Sequence, residues 1–193
     1  MVGVVVRKEV RSLSEAEAGR FVGALHTMMA NVDGVPGTSE YYRIAALHGW
    51  PHNFCTHRVD SFLPWHRAYM AEFERGLQAA DRKNGHDGQI GLPYWDWAHV
   101  PPGHPVFPPV FRNFRFPKDL LPRATRGTSE TNRLQDEGYA EMLAKRDDTL
   151  RYTLKHFGAQ IDRALSQPSY PVFASGDVGA GKSFETPHDS IHF

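Results

Sequence analysis

The 193-residue chain has a single cysteine, Cys55, so no intramolecular disulfide framework can hold it. It has no charge excess either, since 22 basic side chains balance 22 acidic ones. Without a net positive field it has no long-range pull on nucleic acid or anionic lipid, and neither is expected as a partner. No apolar run approaches the roughly 18 residues of a membrane span. The opening Met1-Val2-Gly3-Val4-Val5-Val6 is too short for a signal-peptide core and lacks basic residues before it, which makes the cytoplasm the default expectation. Repeats and low-complexity tracts are also missing. What stands out is histidine, at 11 residues, and imidazole is the commonest metal-binding side chain. The length suits one domain with a core of its own, residues 1–193.

Helical signals dominate. Ser14 and Glu17 form a capping box ahead of an amphipathic helix over 14–30, with Phe21, Val22, Leu25, Met28 and Met29 on one face. Ser39 can cap a short helix through Leu47, stopped by Gly49. A third helix begins near Pro64, where a residue without an N–H fits a first turn. Its inward stripe is expected to be His66, Met70, Phe73 and Leu77, with Glu72, Glu74, Arg75 and Gln78 in solvent. Residues 129–146 and 150–166 read as two more helices, and a last helical turn starts around Pro187. Between them, residues 101–122 hold seven prolines and four phenylalanines, a loop whose rings are expected to pin it to the core.

The histidines fall into suggestive places. His188 and His192 are four apart after Pro187, so on a helix both would project from one face; as an isolated pair they read equally well as surface residues. His66 sits on the buried face of the third helix, with His57 in the loop before it, and a buried histidine can also be a hydrogen-bonded core residue. His48 lies at a helix stop. His52 is four residues beyond it, but Gly49 and Pro51 break that segment. Cys55, two residues before His57, is either a small buried hydrophobe or a sulfur placed to react with that imidazole.

The run His57-Arg58-Val59-Asp60-Ser61-Phe62-Leu63-Pro64-Trp65-His66-Arg67-Ala68-Tyr69, with Glu72 after it, resembles the copper A segment of the type 3 copper proteins: tyrosinases, catechol oxidases and molluscan-type haemocyanins. Leu47-His48-Gly49-Trp50-Pro51 resembles the region of the first copper A ligand, and Cys55-Thr56-His57 the thioether motif of fungal tyrosinases and molluscan haemocyanins. Leu92 to Trp97 is similar to the aromatic segment after copper A, Glu185 to His192 to the start of copper B, and Val6 to Leu13 to the entry strand and first helix. The resemblance implies a mainly α fold, a four-helix bundle around a binuclear copper site with long proline- and aromatic-rich loops. It assigns His48, His57 and His66 to copper A, His188 and His192 to copper B, and Cys55 to a thioether with His57. Family members take a third copper B histidine from a later helix. His99 and His156 lie in no matching motif, so the expectation is a domain incomplete at its C-terminus, lacking the last bundle helix and inactive as it stands.

The implied activity is oxidation of a phenol or o-diphenol to an o-quinone, with two copper ions and O2 as co-substrate. Glu185 and Asp189 are then candidates for handling water and protons. Tyrosinases often have Asn where this chain has Asp189, which turns the expectation towards diphenol oxidation. Reversible O2 carriage, as in haemocyanin, is the rival. A remoter one is a nucleotide-binding loop, since Gly176 to Ser183 fits G-x-x-x-x-G-K-[ST], though Pro187 so soon afterwards argues against the helix that such a loop must open.

Overall fold

Polar caps decide where the first helices start. In the computed structural model, which describes residues 4–49, 52–111, 114, 116, 117, 120, 147–174 and 182–191, the Ser14 hydroxyl accepts the Glu17 amide. The Glu17 carboxylate in turn accepts the Ser14 amide, which closes the expected capping box. Helix α1 then runs over Glu15–Met29. Ser39 accepts the Tyr42 amide at 3.1 Å to start α2, Glu40–His48, and Gly49 ends it. Helix α3, Phe62–Lys83, begins two residues before Pro64, so the proline falls where a missing N–H costs nothing. Beyond the loops come α4 (Asp147–Leu165), α5 (Tyr170–Ala174), which no sequence signal suggested, and α6 (Glu185–Ile191). The architecture is mainly α, as expected. The helix expected over 129–146 and most of the Gly-rich stretch 175–182 lie outside the described residues.

Helices α1, α2 and α3 pack around Phe21, Leu25, Met28, Ile44 and Leu77. Gly76 makes their close approach feasible: a Cβ there would stand 2.9 Å from Met28 Cε and 3.1 Å from Ile44 Cδ1. The proline-rich loop is pinned as its phenylalanines suggested. Phe111 meets Phe21 edge-on, Phe114 stacks on His26 at 5.1 Å, and Phe116 meets Tyr41. A second, smaller cluster has Val106 and Leu154 at its centre, with Trp95, Trp97 and Phe157 against them, and so ties the loop to α4.

Two expectations for α3 need correcting. Met70 is exposed although Leu77 and Asp81, on either side of it around the helix and two to three turns further on, are fully buried, so its exposure is set by what covers that level of α3 and not by the stripe. Glu74 is only half in solvent, because the N-terminal segment crosses it. Arg7 donates to both its oxygens at 2.9 and 2.8 Å, and the Leu92 amide donates at 2.9 Å. That segment is the expected entry strand, reduced to one parallel bridge: Val10 donates to Tyr94 O and Tyr94 to Lys8 O. The first helix expected with it is a single 3-10 turn, Val10–Ser12. Gly91 lets the strands approach, since a Cβ there would lie 2.6 Å from the Val6 carbonyl oxygen. At the far end of α3 the fully buried Asp81 carboxylate accepts from Arg20 Nε and Nη2 and from the Gly88 amide, Nη2 also donating to Asp87.

Candidate metal centre

Three elements bring imidazoles to one point. His48 is the last residue of α2, His66 lies in the first turns of α3, and His57 hangs in the loop between them. His188 arrives from α6. One ring nitrogen from each of these four histidines lies within 4.8 Å of all the others. The closest approaches are His66 Nε2 to His48 Nε2 at 3.3 Å and His57 Nε2 to His188 Nε2 at 3.4 Å. His192 lies outside the described residues.

The helix fixes His66 by an internal contact. Its Nδ1 stands 2.8 Å from the Phe62 carbonyl oxygen, one turn earlier, and can only donate to it. That tautomer puts the proton on Nδ1 and the acceptor lone pair on Nε2, the nitrogen that faces the cluster. Phe62 itself is almost fully buried and packs against His57, His66 and His188, with ring centroids 4.5 to 5.6 Å away. On the other flank Trp65 and Tyr69 stack at 5.2 Å, and both face His48. Sequence reasoning missed Phe62 as a site residue, though its place one turn before His66 could have flagged it.

The loop around His57 is unusual. Arg58 adopts φ 59° and Asn53 φ 50°, a left-handed region that non-glycine side chains rarely occupy. The Arg58 amide points at Glu185, whose two carboxylate oxygens each lie 2.8 Å from it. Glu185 is fully buried, and burial pushes its carboxyl above the usual carboxylate range against the opposing pull of the Arg58 amide. Glu185, Asp189 and His57 form a second group with ligand atoms within 4.8 Å of one another, Asp189 being exposed. Cys55 Sγ lies 3.8 Å from His57 Nδ1 and 3.5 Å from Asn53 Oδ1, so sulfur and imidazole are neighbours. Burial raises the thiol's pKa.

Four imidazole nitrogens converging this closely form a ready donor set for a cation. An all-nitrogen donor set of this kind suits copper, with zinc, nickel and iron as competitors. The residues present therefore fit the group that the motifs imply. A family model described as the common central domain of tyrosinase matches residues 38–193. The chain belongs to the tyrosinase family.

This type 3 copper family also reaches the chain through individual relatives. It is 38% identical to a tyrosinase of Streptomyces lincolnensis over 96 residues, which is 49% of this chain and 32% of the relative. It is 36% identical to Hemocyanin 1 of Megathura crenulata over 106 residues, 50% of this chain and 3% of that protein. Hemocyanin units G and H of Sepia officinalis align over 97% of the chain at 28% identity, covering 31% of the relative. The chain thus spans about a third or less of the length of these relatives. No solved structure gives a significant match. Family membership implies a binuclear copper centre, and the histidine cluster is where this chain can hold one.

The nucleotide-loop alternative loses ground here. A helix does begin just after the motif, since α6 starts at Glu185 with Pro187 inside its first turn, earlier than the Pro187 start expected. Yet Ser183, which would have to face magnesium, is fully buried with its hydroxyl 3.5 Å from that of Thr186.

Proposed function

We propose that this chain carries a copper centre that oxidises o-diphenols, and more slowly phenols, to o-quinones with O2. His48, His57 and His66 would hold one copper ion, and His188, with His192 four residues on in the sequence, the second. Copper, when bound, supplies the electron transfer between the phenol and O2. The chain's own residues hold the imidazoles in place and take up protons. The observation that carries the reading is the pair of carboxylates beside His57. Oxidising a diphenol to a quinone moves two protons and two electrons from the substrate to O2, which ends as water, whereas carrying O2 moves no proton. Glu185 and Asp189 lie within 4.8 Å of the His57 ring nitrogen, and Asp189 is open to solvent, so a proton acceptor stands at the metal site. The charge on Asp189 also favours a diphenol over a phenolate, as like charges repel. The 3.8 Å approach of Cys55 Sγ to the His57 ring supports a thioether there, a C–S bond formed as the S–H and one ring C–H hydrogen are lost to O2 as the two-electron oxidant, which would lock that ring.

Copper-loaded protein supplied with catechol should form quinone, read by its absorbance, while tyrosine is hydroxylated much more slowly. Reversible O2 binding without catechol turnover would establish the carrier instead. Rapid tyrosine hydroxylation would overturn the diphenol preference alone.

A further inference from the structure

Glu185 spends its polarity in a way that proton handling does not require. Both of its oxygens converge on one backbone amide, that of Arg58, at 2.8 Å. That amide belongs to a residue held left-handed at φ 59°, immediately after His57 in the chain. The carboxylate is fully buried at the first residue of α6, one turn before His188. An arginine pays for that conformation with steric strain, so something must hold it there. Among the described residues the Arg58 amide donates to the Glu185 carboxylate, which reaches across 127 positions in sequence.

We infer that Glu185 is a positioning residue: it clamps the His57 loop to α6 through the Arg58 amide and so sets the spacing between His57 and His188. The two rings meet at Nε2 to Nε2 3.4 Å, one from each side of the clamp. Phe62 packs against both rings but bonds to neither, so it fills the space without fixing the loop's backbone. The clamp's meaning for function rests on the copper reading above.

The experiment separates the two questions. Hydrogen exchange at the Arg58 amide is measured in the copper-free protein for wild type, E185Q and E185A. Glutamine keeps an oxygen acceptor but cannot take up a proton, whereas alanine keeps neither. Exchange at Arg58 should quicken by about tenfold in E185A, as local opening of the loop loses its restraint, and stay near wild type in E185Q. Cu(I) affinity, read by competition with a chromophoric chelator, should fall by about 10- to 100-fold in E185A, the range seen when a group that orients a metal ligand is lost. E185Q should keep most of it. If E185A does not fold, E185A/R58G decides. Glycine removes the strain at position 58, so partial recovery of folding supports the clamp, and no recovery counts against it. Unchanged Arg58 exchange in E185A overturns the inference. So does Cu(I) affinity unchanged in E185A while exchange at Arg58 quickens, because the clamp would then not set the spacing of His57 and His188. Wild-type protein that takes no Cu(I) refutes the copper reading only, and the exchange measurement still decides the clamp.

Discussion

His48, His57 and His66 come from neighbouring stretches of chain, while His188 joins His57 across 131 residues. The supports of the two sides differ as much as their spacing. Behind the first three stand α1, α2 and α3, locked by Phe21, Leu25, Met28, Ile44 and Leu77. Behind His188 stands a seven-residue helix, held by the Glu185 bond to Arg58, by the Phe62 ring, and by the Phe184 amide on Phe173 O at 2.7 Å. A helix that short has no stability of its own. One side of the centre is therefore positioned by three helices around a core, and the other by a short helix that packs on α4 and is tied down by a few directional contacts.

The largest test of that contrast is a matched pair of cavities. Leu77 and Leu154 are both almost fully buried, one in each cluster. Leu77→Ala should cost about 4 kcal/mol, near the upper part of the range for such deletions, because the α1–α3 junction is too tightly packed to collapse. Leu154→Ala should cost about 2 kcal/mol, since the smaller cluster of rings and loop can close on the gap. Urea unfolding midpoints of the two variants measure the difference. Equal costs would break the contrast.

A smaller effect sharpens the polar side of the first half. Asp81→Asn removes the charge that Arg20 and the Gly88 amide hold at the end of α3, and should cost about 2 kcal/mol at pH 7. The Arg20 hydrogen bond holds the Asp81 carboxyl below its ordinary range. Its folded pKa being depressed, the ionised pair stabilises fully above the unfolded value, about 3.9. That contribution is lost as pH falls through the folded value. Unfolding measured at pH 7 and again near pH 3 should show the gap between wild type and variant shrinking in acid. A gap that stays constant or widens means the carboxylate acts by packing alone.

The same contrast explains what could be read in advance. Ser14, Ser39 and Gly49 announced α1 and α2 because capping is local chemistry, written within four residues. The family motifs at Leu47 to Pro51 and at His57 to Tyr69 pointed to three imidazoles between them, and the structure brings those three together with His188. Arg58 was illegible, since a left-handed arginine is made by an acceptor 127 residues away and leaves no mark on its neighbours. Met70 was misplaced because periodicity gives the direction of a helical stripe, whereas burial at each level depends on what covers it. Glu74 was misplaced for the mirror reason: the segment around Arg7 covers a face that the helix alone would leave wet. Helix α5 gave no periodic signal at five residues.

The smallest effect separates global stability from the site. Ser14 caps α1 far along the chain from any of the four histidines, with its hydroxyl on the Glu17 amide and the Glu17 carboxylate on the Ser14 amide. Lys8 also pairs with Glu17, whose carboxyl is drawn down to about 2, chiefly by that lysine. Ser14→Ala removes one acceptor at an exposed helix end and should cost about 1 kcal/mol. For a chain of this size that amounts to about 2–4 °C in Tm. If α1 supports His48 and His66 as a rigid body, the loss is paid in unfolding and does not reach the ring spacings. Cu(I) affinity of S14A should then match wild type below the melting transition, while Tm falls. A drop in affinity alongside Tm would mean that fraying of α1 reaches α2 and α3, and that the core side of the centre is no stiffer than the side held by Glu185.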